Sequence, residues 1–495
     1  MTPERPSEPG ARIAAALAHI SAGRVADAEA MCRAIVATHP NQGRAWHLLG
    51  AIALQRGDAD EAIACCRRAL ALIPSLAKAH NNLGSALTRQ NRLDEAITAL
   101  TRAITLDPLL ASAHYNLGYA LQRKAEYESA LTSLRRAQTL KPDMVEIYPT
   151  LGIVYRALGR AAEAIESQNK ALELQPDHPN AAFFRSLVFL NQGRFAEGWR
   201  DYLTRFSIRD TTLPLHRQPL PRDLNGMRIL LVKDQGLGDE IFFLRFAPAL
   251  KQRGAHVMYR TDSKIASMLR RLPFLDAVTD DIKAPSADLI LSIGDLPYLL
   301  AMESVEDIPP SIRLRALPEH LVAQQAALAA LGPPPYVGVT WRAGTGIQGS
   351  QSKSIAIDGI GAALRRANGT LVALQRAPEA GEIAALEAAV GAPVHDMTGL
   401  NDRLEEMLAL LALLDDYVAV SNTNVHLRAA VGRGSRVLVP SPSEFRWMAA
   451  GSVSPWFPDC TVYRQEIEGS WDKALAALAH DLAPKPQSAQ RGISL

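Results

Sequence analysis

The sequence predicts an α-helical repeat solenoid followed by two α/β halves, and three observations carry that expectation. Pro40, Pro74, Pro108, Pro142 and Pro176 recur every 34 residues, the period of a helix-turn-helix repeat. From Met227 onward the helical pattern gives way to short apolar runs alternating with helix-like stretches, the mark of a parallel sheet covered by helices. That alternation pauses at Gly332-Pro-Pro-Pro335 and resumes at Tyr336, so it belongs to two sheets and not one.

The chain has 495 residues, enough for roughly two to four domains at about 100–200 residues each. Lys+Arg 53 against Asp+Glu 51 leaves a net charge of +2, so nothing global draws the chain to nucleic acid or to an anionic membrane. Cys32, Cys65, Cys66 and Cys460 form no CxxC pair and meet no His cluster. This disfavours a disulfide scaffold or structural zinc and fits a reducing cytoplasm. No apolar stretch reaches 18 residues, and Arg12, His19 and Arg24 interrupt the first candidate, so neither a signal peptide nor a transmembrane helix is expected. Residues 1–10 and 486–495 read as disordered ends.

The solenoid is assigned to residues 11–210. Aligned on the prolines, Trp46, His80, His114 and Tyr148 share a column, each followed three residues later by Leu49-Gly50, Leu83-Gly84, Leu117-Gly118 or Leu151-Gly152. Ala62, Ala96, Ala130 and Ala164 form a second column, and Ala69, Ala103, Ala137 and Ala171 a third. Small residues belong where two helices cross closely, larger apolar ones fill the gap to the next unit, and proline ends the second helix. Four good repeats run from about Gly43 to Pro176, with a degenerate one before them and a modified one after. In the last, Gly198 replaces the phased alanine while Trp199 and Tyr202 add bulk, as for a terminal unit docking on another domain. The pattern resembles the tetratricopeptide repeat. Trp46, His80, His114 and Tyr148 read as packing residues, and Cys65-Cys66 as filling a small-residue position. Asn82 and Asn116, just before Leu-Gly, resemble the asparagine ladder of the O-linked N-acetylglucosamine transferase superhelix, which holds the acceptor polypeptide. Leu48 and Thr150 fill the same column, so polypeptide binding and a plain solvent-facing position both stay open.

A connector over residues 211–226, with Pro214, Pro219 and Pro221, leads into a first half over 227–330. Its strands are read at Met227–Val232, Val257–Arg260, Asp276–Thr279 and Ala287–Ile293. The second half, 331–485, has strands at Tyr336–Trp341, Thr370–Gln375, Val394–Asp396, Tyr417–Val420 and Arg436–Val439. Two such halves place a cleft between the carboxyl ends of both sheets, where open α/β sheets bind ligands.

Along these halves run Lys233-Asp-Gln-Gly-Leu-Gly-Asp-Glu240, Val339-Thr-Trp-Arg342, Ser352-Lys-Ser-Ile355, Leu374-Gln-Arg376, Val420-Ser-Asn-Thr-Asn-Val-His-Leu427 and Ser454-Pro-Trp-Phe-Pro458. In order and content the series is similar to glycosyltransferase family 9, the heptosyltransferases, as found in repeat-fused bacterial proteins. The resemblance implies a GT-B fold, a pair of Rossmann-like halves with the acceptor side first and the nucleotide-sugar side second. It also implies inverting, metal-independent transfer with a nucleotide-sugar as co-substrate and no further cofactor. In some repeat-fused relatives the acceptor is a protein such as flagellin.

Gly236 and Gly238 sit in the turn after the first strand, where a ligand can approach the backbone. Asp239 puts a carboxylate at that helix start, which assigns the turn to the acceptor and not to pyrophosphate. The resemblance implies that Asp239 takes the acceptor hydroxyl proton; a plain helix cap is the alternative. Ser421, Asn422, Thr423, Asn424 and His426 follow a strand and open a helix, so N–H groups and short polar side chains converge for an anionic diphosphate or a carboxylated sugar. Family 9 has an aspartate where this chain has Ser421-Asn422, which departs from an ADP-heptose donor. His426 either meets phosphate or packs at the helix-sheet seam. Lys353 and Arg342 are placed to stabilise a departing phosphate without a metal, or are a loop lysine and a structural ion pair. Gln375 meets a base or sugar, or caps a loop. Glu444, Arg446 and Trp447 follow the last strand toward the cleft, and Trp456 reads as a packing anchor. Asp58-Ala-Asp60, Asp280-Asp281 and Asp415-Asp416 make no Asp-x-Asp metal site in the α/β part, and no GxSxG or Walker motif occurs.

The reading is a cytoplasmic protein O-glycosyltransferase whose repeats capture a polypeptide, flagellin first among acceptors, for transfer of a sugar to Ser or Thr. The alternatives are a non-catalytic repeat scaffold with a degenerate transferase-like domain, which nucleotide binding would separate, and a lipopolysaccharide glycosyltransferase, which acceptor identity would separate.

Overall fold

The computed structural model describes residues 9–178, 180–205, 213–233, 235–261, 264–279, 286–343 and 353–484. The expected disordered ends, Asp280-Asp281, and residues 345–352 of the loop before Lys353 lie largely or wholly outside them. The chain divides into two compact units, Met1–Asp177 and His178–Leu495.

The first unit is a run of helical pairs: α1 (Pro9–Ser21) and α2 (Val25–Thr38), α3 (Gly43–Arg56) and α4 (Ala59–Leu72), α5 (Ala77–Arg89) and α6 (Leu93–Leu106), α7 (Ala111–Arg123) and α8 (Tyr127–Leu140), α9 (Ile147–Ala157) and α10 (Ala161–Leu174). The glycine column is a contact column. A Cβ on Gly50 would lie 2.7 Å from Cys66 Sγ, one on Gly118 would lie 2.6 Å from Leu134 Cγ, and those on Gly84 and Gly152 would overlap Leu100 and Gln168. In these four pairs the first helix thus crosses its second at a distance only glycine allows. Cys66 fills the small-residue position expected of it, and Cys32, Cys65, Cys66 and Cys460 are all buried free thiols.

The aromatic column does more than pack. Trp46 Nε1 donates to Pro40 O at 2.8 Å and Tyr148 OH to Pro142 O at 2.6 Å. His80 and His114 Nε2 reach Pro74 O and Pro108 O, each at 3.0 Å. A carbonyl only accepts, so both imidazoles carry their proton on Nε2. Each repeat therefore ties the proline that ends one helical pair to the first helix of the next. Arg89 and Arg123 add a second tie, donating to Leu54 O at 2.6 Å and Thr88 O at 3.0 Å, carbonyls near the carboxyl end of the preceding first helix.

The second unit opens with one more pair, α11 (Ala181–Asn191) and α12 (Phe195–Tyr202). The division at 177/178 thus places the last pair of the expected 11–210 repeat series with the α/β part. The reason is aromatic burial. Trp199, 1% exposed, stands edge-on to Tyr202, Phe243, Phe445 and Trp456, so this pair shares a core with the α/β layers.

The first sheet holds β1 (Arg228–Val232), β2 (His256–Arg260), β3 (Ala277–Thr279) and β4 (Leu289–Ser292) in the order β3-β2-β1-β4, all parallel. Its helices are α13 (Leu237–Phe243), α14 (Ala247–Gln252), α15 (Ala266–Leu269) and α16 (Leu296–Leu299), and α17 (Pro318–Leu331) follows and packs on residues 404–413 of the second half. The second sheet holds β5 (Tyr336–Thr340), β6 (Thr370–Ala373), β7 (Val394–Asp396), β8 (Asp416–Val420), β9 (Arg436–Val439), β10 (Val453–Ser454) and β11 (Phe457–Arg464), ordered β10-β11-β9-β8-β5-β6-β7. Its helices are α18 (Ile357–Leu364), α19 (Glu382–Val390), α20 (Leu404–Leu413), α21 (Thr423–Ala430) and α22 (Asp472–Leu482). Among the described strands of this sheet β10 runs antiparallel to β11 and the other neighbours pair in parallel. Both sheets run third, second, first, fourth, the doubly wound order, and so each has its switch point where its first and fourth strands meet.

Candidate functional site

A cavity of about 590 Å³ opens where the two switch points face one another. Its walls come from the carboxyl ends of the strands and the segments just past them: Lys233 and Gln235–Glu240 after β1, Thr340, Arg342 and Ala343 at the end of β5, Ser421–Asn424 and His426 after β8, and Glu444 and Arg446 after β9. Of the residues expected in the α/β part, Gly236, Gly238, Asp239, Arg342, Lys353, Ser421, Asn422, Thr423, Asn424 and His426 all line it.

Gln375 does not. It is 1% exposed, and its amide is used on backbone: Oε1 accepts from Trp341 N at 3.2 Å and Arg342 N at 2.9 Å, while Nε2 donates to Arg342 O and Arg376 O at 3.0 Å each. It fixes the strand end that carries Arg342, the loop-capping role. Asn82 and Asn116 lie in the other unit, half-buried and bonded across repeats. Asn82 Nδ2 meets His47 Nε2 at 3.2 Å, and Asn116 Nδ2 donates to Asn81 Oδ1 at 2.9 Å.

The acceptor-side turn starts α13 at Gly236, which offers no side-chain cap. Asp239 sits in the first turn, not at the cap, and pairs with Arg446. Burial pulls the Arg446 guanidinium down to about 10, which leaves it cationic at neutral pH. Gly238 is small for a packing reason: a Cβ there would stand 3.2 Å from His426 Cδ2.

On the opposite wall, Lys353 is held by backbone pairing with the extension of β5, through Ala343 N to Lys353 O at 2.9 Å and Ile355 N to Trp341 O at 3.0 Å. Its ammonium pairs with Glu444, whose other oxygen accepts from Ser421 Oγ at 2.6 Å. Burial would raise the Glu444 carboxyl, but the Lys353 charge and these hydrogen bonds outweigh it and hold the carboxyl below its usual range. Arg342 pairs with Glu382 at 2.8 Å. Asn422 is the cap of α21, its Oδ1 accepting from Val425 N at 3.1 Å, so it organises the helix start that faces the cavity. His426 lies edge-on to Phe242 at 6.2 Å and Phe457 at 5.3 Å. Burial, reinforced by the Arg245 charge, lowers it to about 3. It is a neutral imidazole that both lines the cavity and packs at the seam.

Sequence reasoning left out Lys233, Glu240, Lys264, Arg376 and Asn401, which also line the cavity. Their signal was positional: each follows a strand or opens the helix after it. Among the described residues no helix is long and apolar enough to cross a membrane.

Family models described as "TPR repeat" match residues 84–124, and models described as "Tetratricopeptide repeat" match 13–77, 150–205 and 111–144. A curated relative, Protein FlbA of Caulobacter vibrioides, is 26% identical over 332 residues, covering 60% of this chain and 54% of its own length. The chain thus spans about half the length of that relative. Among solved structures, MamA is 27% identical with a TM-score of 0.29, covering 32% of this chain and 94% of its own. A thermophilic TPR protein of Thermus thermophilus is 23% identical with a TM-score of 0.32, covering 37% and 99%. The amino-terminal part of the chain is a solenoid of tetratricopeptide repeats.

Proposed function

We propose that this chain is a protein O-glycosyltransferase of GT-B type, moving a sugar from a nucleotide-sugar to a Ser or Thr hydroxyl of a polypeptide engaged by the repeats. The observation that carries this reading is the convergence of Asp239, Lys353, Arg342 and the start of α21 on one cavity at two facing switch points. Its volume of about 590 Å³ falls in the range of about 300–1,000 Å³ typical of small-molecule sites. In this reading Asp239 takes the acceptor hydroxyl proton, and the hydroxyl oxygen bonds to the anomeric carbon from the face opposite the leaving group. The nucleotide then departs with the bond electrons, its charge met by Lys353, Arg342 and the N–H groups that open α21. Flagellin is the acceptor to test first, on the family resemblance.

The pairing of Lys353 with Glu444 and of Arg446 with Asp239 favours a second reading, a scaffold whose cavity charges are already matched internally. Calorimetry with UDP-, ADP-, GDP- and CMP-type nucleotides and their sugars separates the two. Saturable binding of one type, weakened about tenfold or more by Lys353→Ala, together with transfer abolished by Asp239→Ala, supports the transferase. Silence across the panel overturns it in favour of the scaffold.

A further inference from the structure

We infer that Tyr202, on the last repeat-like helix, is a positioning residue for the Gly-rich turn and through it for Asp239, so that α11–α12 belongs to the reaction site and not to the polypeptide-binding repeats. The chemistry in this inference rests on the transferase reading; the geometry does not.

The turn needs an external hold, because α13 begins at Gly236 without a side-chain cap. That hold is Gln235, whose Nε2 donates to Tyr202 OH at 2.8 Å. Tyr202 itself is fixed. It is 4% exposed, and its ring is surrounded by Phe183, Trp199, Phe243 and Phe445 at centroid distances of 5.5–6.0 Å. A tyrosine so enclosed presents a polar tip from a rigid apolar body.

The same helical pair grips both segments that carry the Asp239–Arg446 ion pair. Trp199 stands edge-on to Phe243 of α13 at 6.2 Å and to Phe445, beside Arg446, at 5.5 Å. Asn191 Nδ2 donates to Ser443 O at 3.1 Å and to Ser443 Oγ at 3.0 Å, and Ala449 N donates to Asn191 O at 2.9 Å. The loop bearing Glu444 and Arg446 is therefore pinned to α11, while the turn bearing Asp239 is pinned to α12.

Repeat phase shows how the position was converted. Residue 202 continues the column of Cys66, Leu100, Leu134 and Gln168, the side chains that fill the space against Gly50, Gly84, Gly118 and Gly152. In the terminal unit the facing column holds Ser186 in place of glycine, and the second-helix residue is a tyrosine bonded to Gln235. Reaction rates are sensitive to misplacement of about 1 Å in a catalytic group, so a tie two residues from the helix start matters to where the Asp239 carboxylate lies.

The test is Tyr202→Phe in the full chain, which removes one oxygen and keeps the ring. Hydrogen exchange should quicken in residues 235–243 by about fivefold, the loss of one net hydrogen bond, with exchange in α11–α12 unchanged and the melting temperature lowered by no more than about 2–4 °C. Turnover in the transfer assay should fall by a similar factor while donor affinity holds. Gln235→Leu should reproduce the effect, and the double variant should be no worse than either single one. Unchanged exchange in 235–243, or equal quickening through α11–α12, overturns the inference. If the wild-type protein transfers nothing, the transferase reading falls, and the exchange measurement still decides whether Tyr202 positions the turn.

Discussion

His426 and Gln375 show how differently single residues from one sequence pattern are used. Both follow parallel strands, yet the histidine reaches the cavity while the glutamine turns its amide onto the backbone behind it. Burial keeps His426 neutral down to about pH 3, against an ordinary value of 6.5. Its folded value is depressed, so the unfolded chain takes up a proton first. Stability is full above about pH 6.5 and falls as pH drops toward 3, at up to about 1.4 kcal/mol per pH unit for one proton. His47, lowered to about 4 by burial and the Lys78 charge, acts in the same direction. His426→Gln should therefore show a shallower acid-side decline than wild type in urea titrations between pH 6 and 4; identical slopes would contradict the buried neutral state. Which residues meet in the cavity was legible, because a doubly wound order sends each strand end to one edge. Which charges match was not: Lys353 and Glu444 are 91 residues apart, and no local pattern links them.

At the scale of elements, the repeat prolines, glycines and alanines left little to discover in the solenoid beyond the hydrogen bonds to the proline carbonyls. Packing there should be unforgiving. Gly84→Ala would drive a methyl into Leu100 and should cost about 1–3 kcal/mol by overpacking. Gly57→Ala meets open space and only the strain of φ +89°, about 1–2 kcal/mol. Paired urea midpoints check the ranking. The α/β strands were placed to within a few residues, but α17, α22 and the β10–β11 ribbon were not. Pro458 disguised β11, since proline argues against a strand. The ladder to β9 begins only at Thr461, so Pro458 withholds no donor from it.

At the scale of the molecule, the division at 177/178 predicts where the chain can be cut. A fragment beginning at His178 should fold cooperatively with native near-ultraviolet circular dichroism. One beginning at residue 211 should not, because it lacks Phe195, Trp199 and Tyr202 from the shared aromatic core. Equal melting of the two fragments would show that α11–α12 adds nothing. The four cysteines offer a further use of this division. Burial pushes the thiols of Cys32, Cys65 and Cys460 up to about 11 and that of Cys66 to about 12, so a reagent that needs thiolate reaches them only when structure opens. Three lie in the first unit and one in the second. The unmodified protein thus contains its own pair of clocks: pulse alkylation read by the mass of each cysteine-bearing peptide would time the opening of each unit separately, in one tube and without an engineered probe.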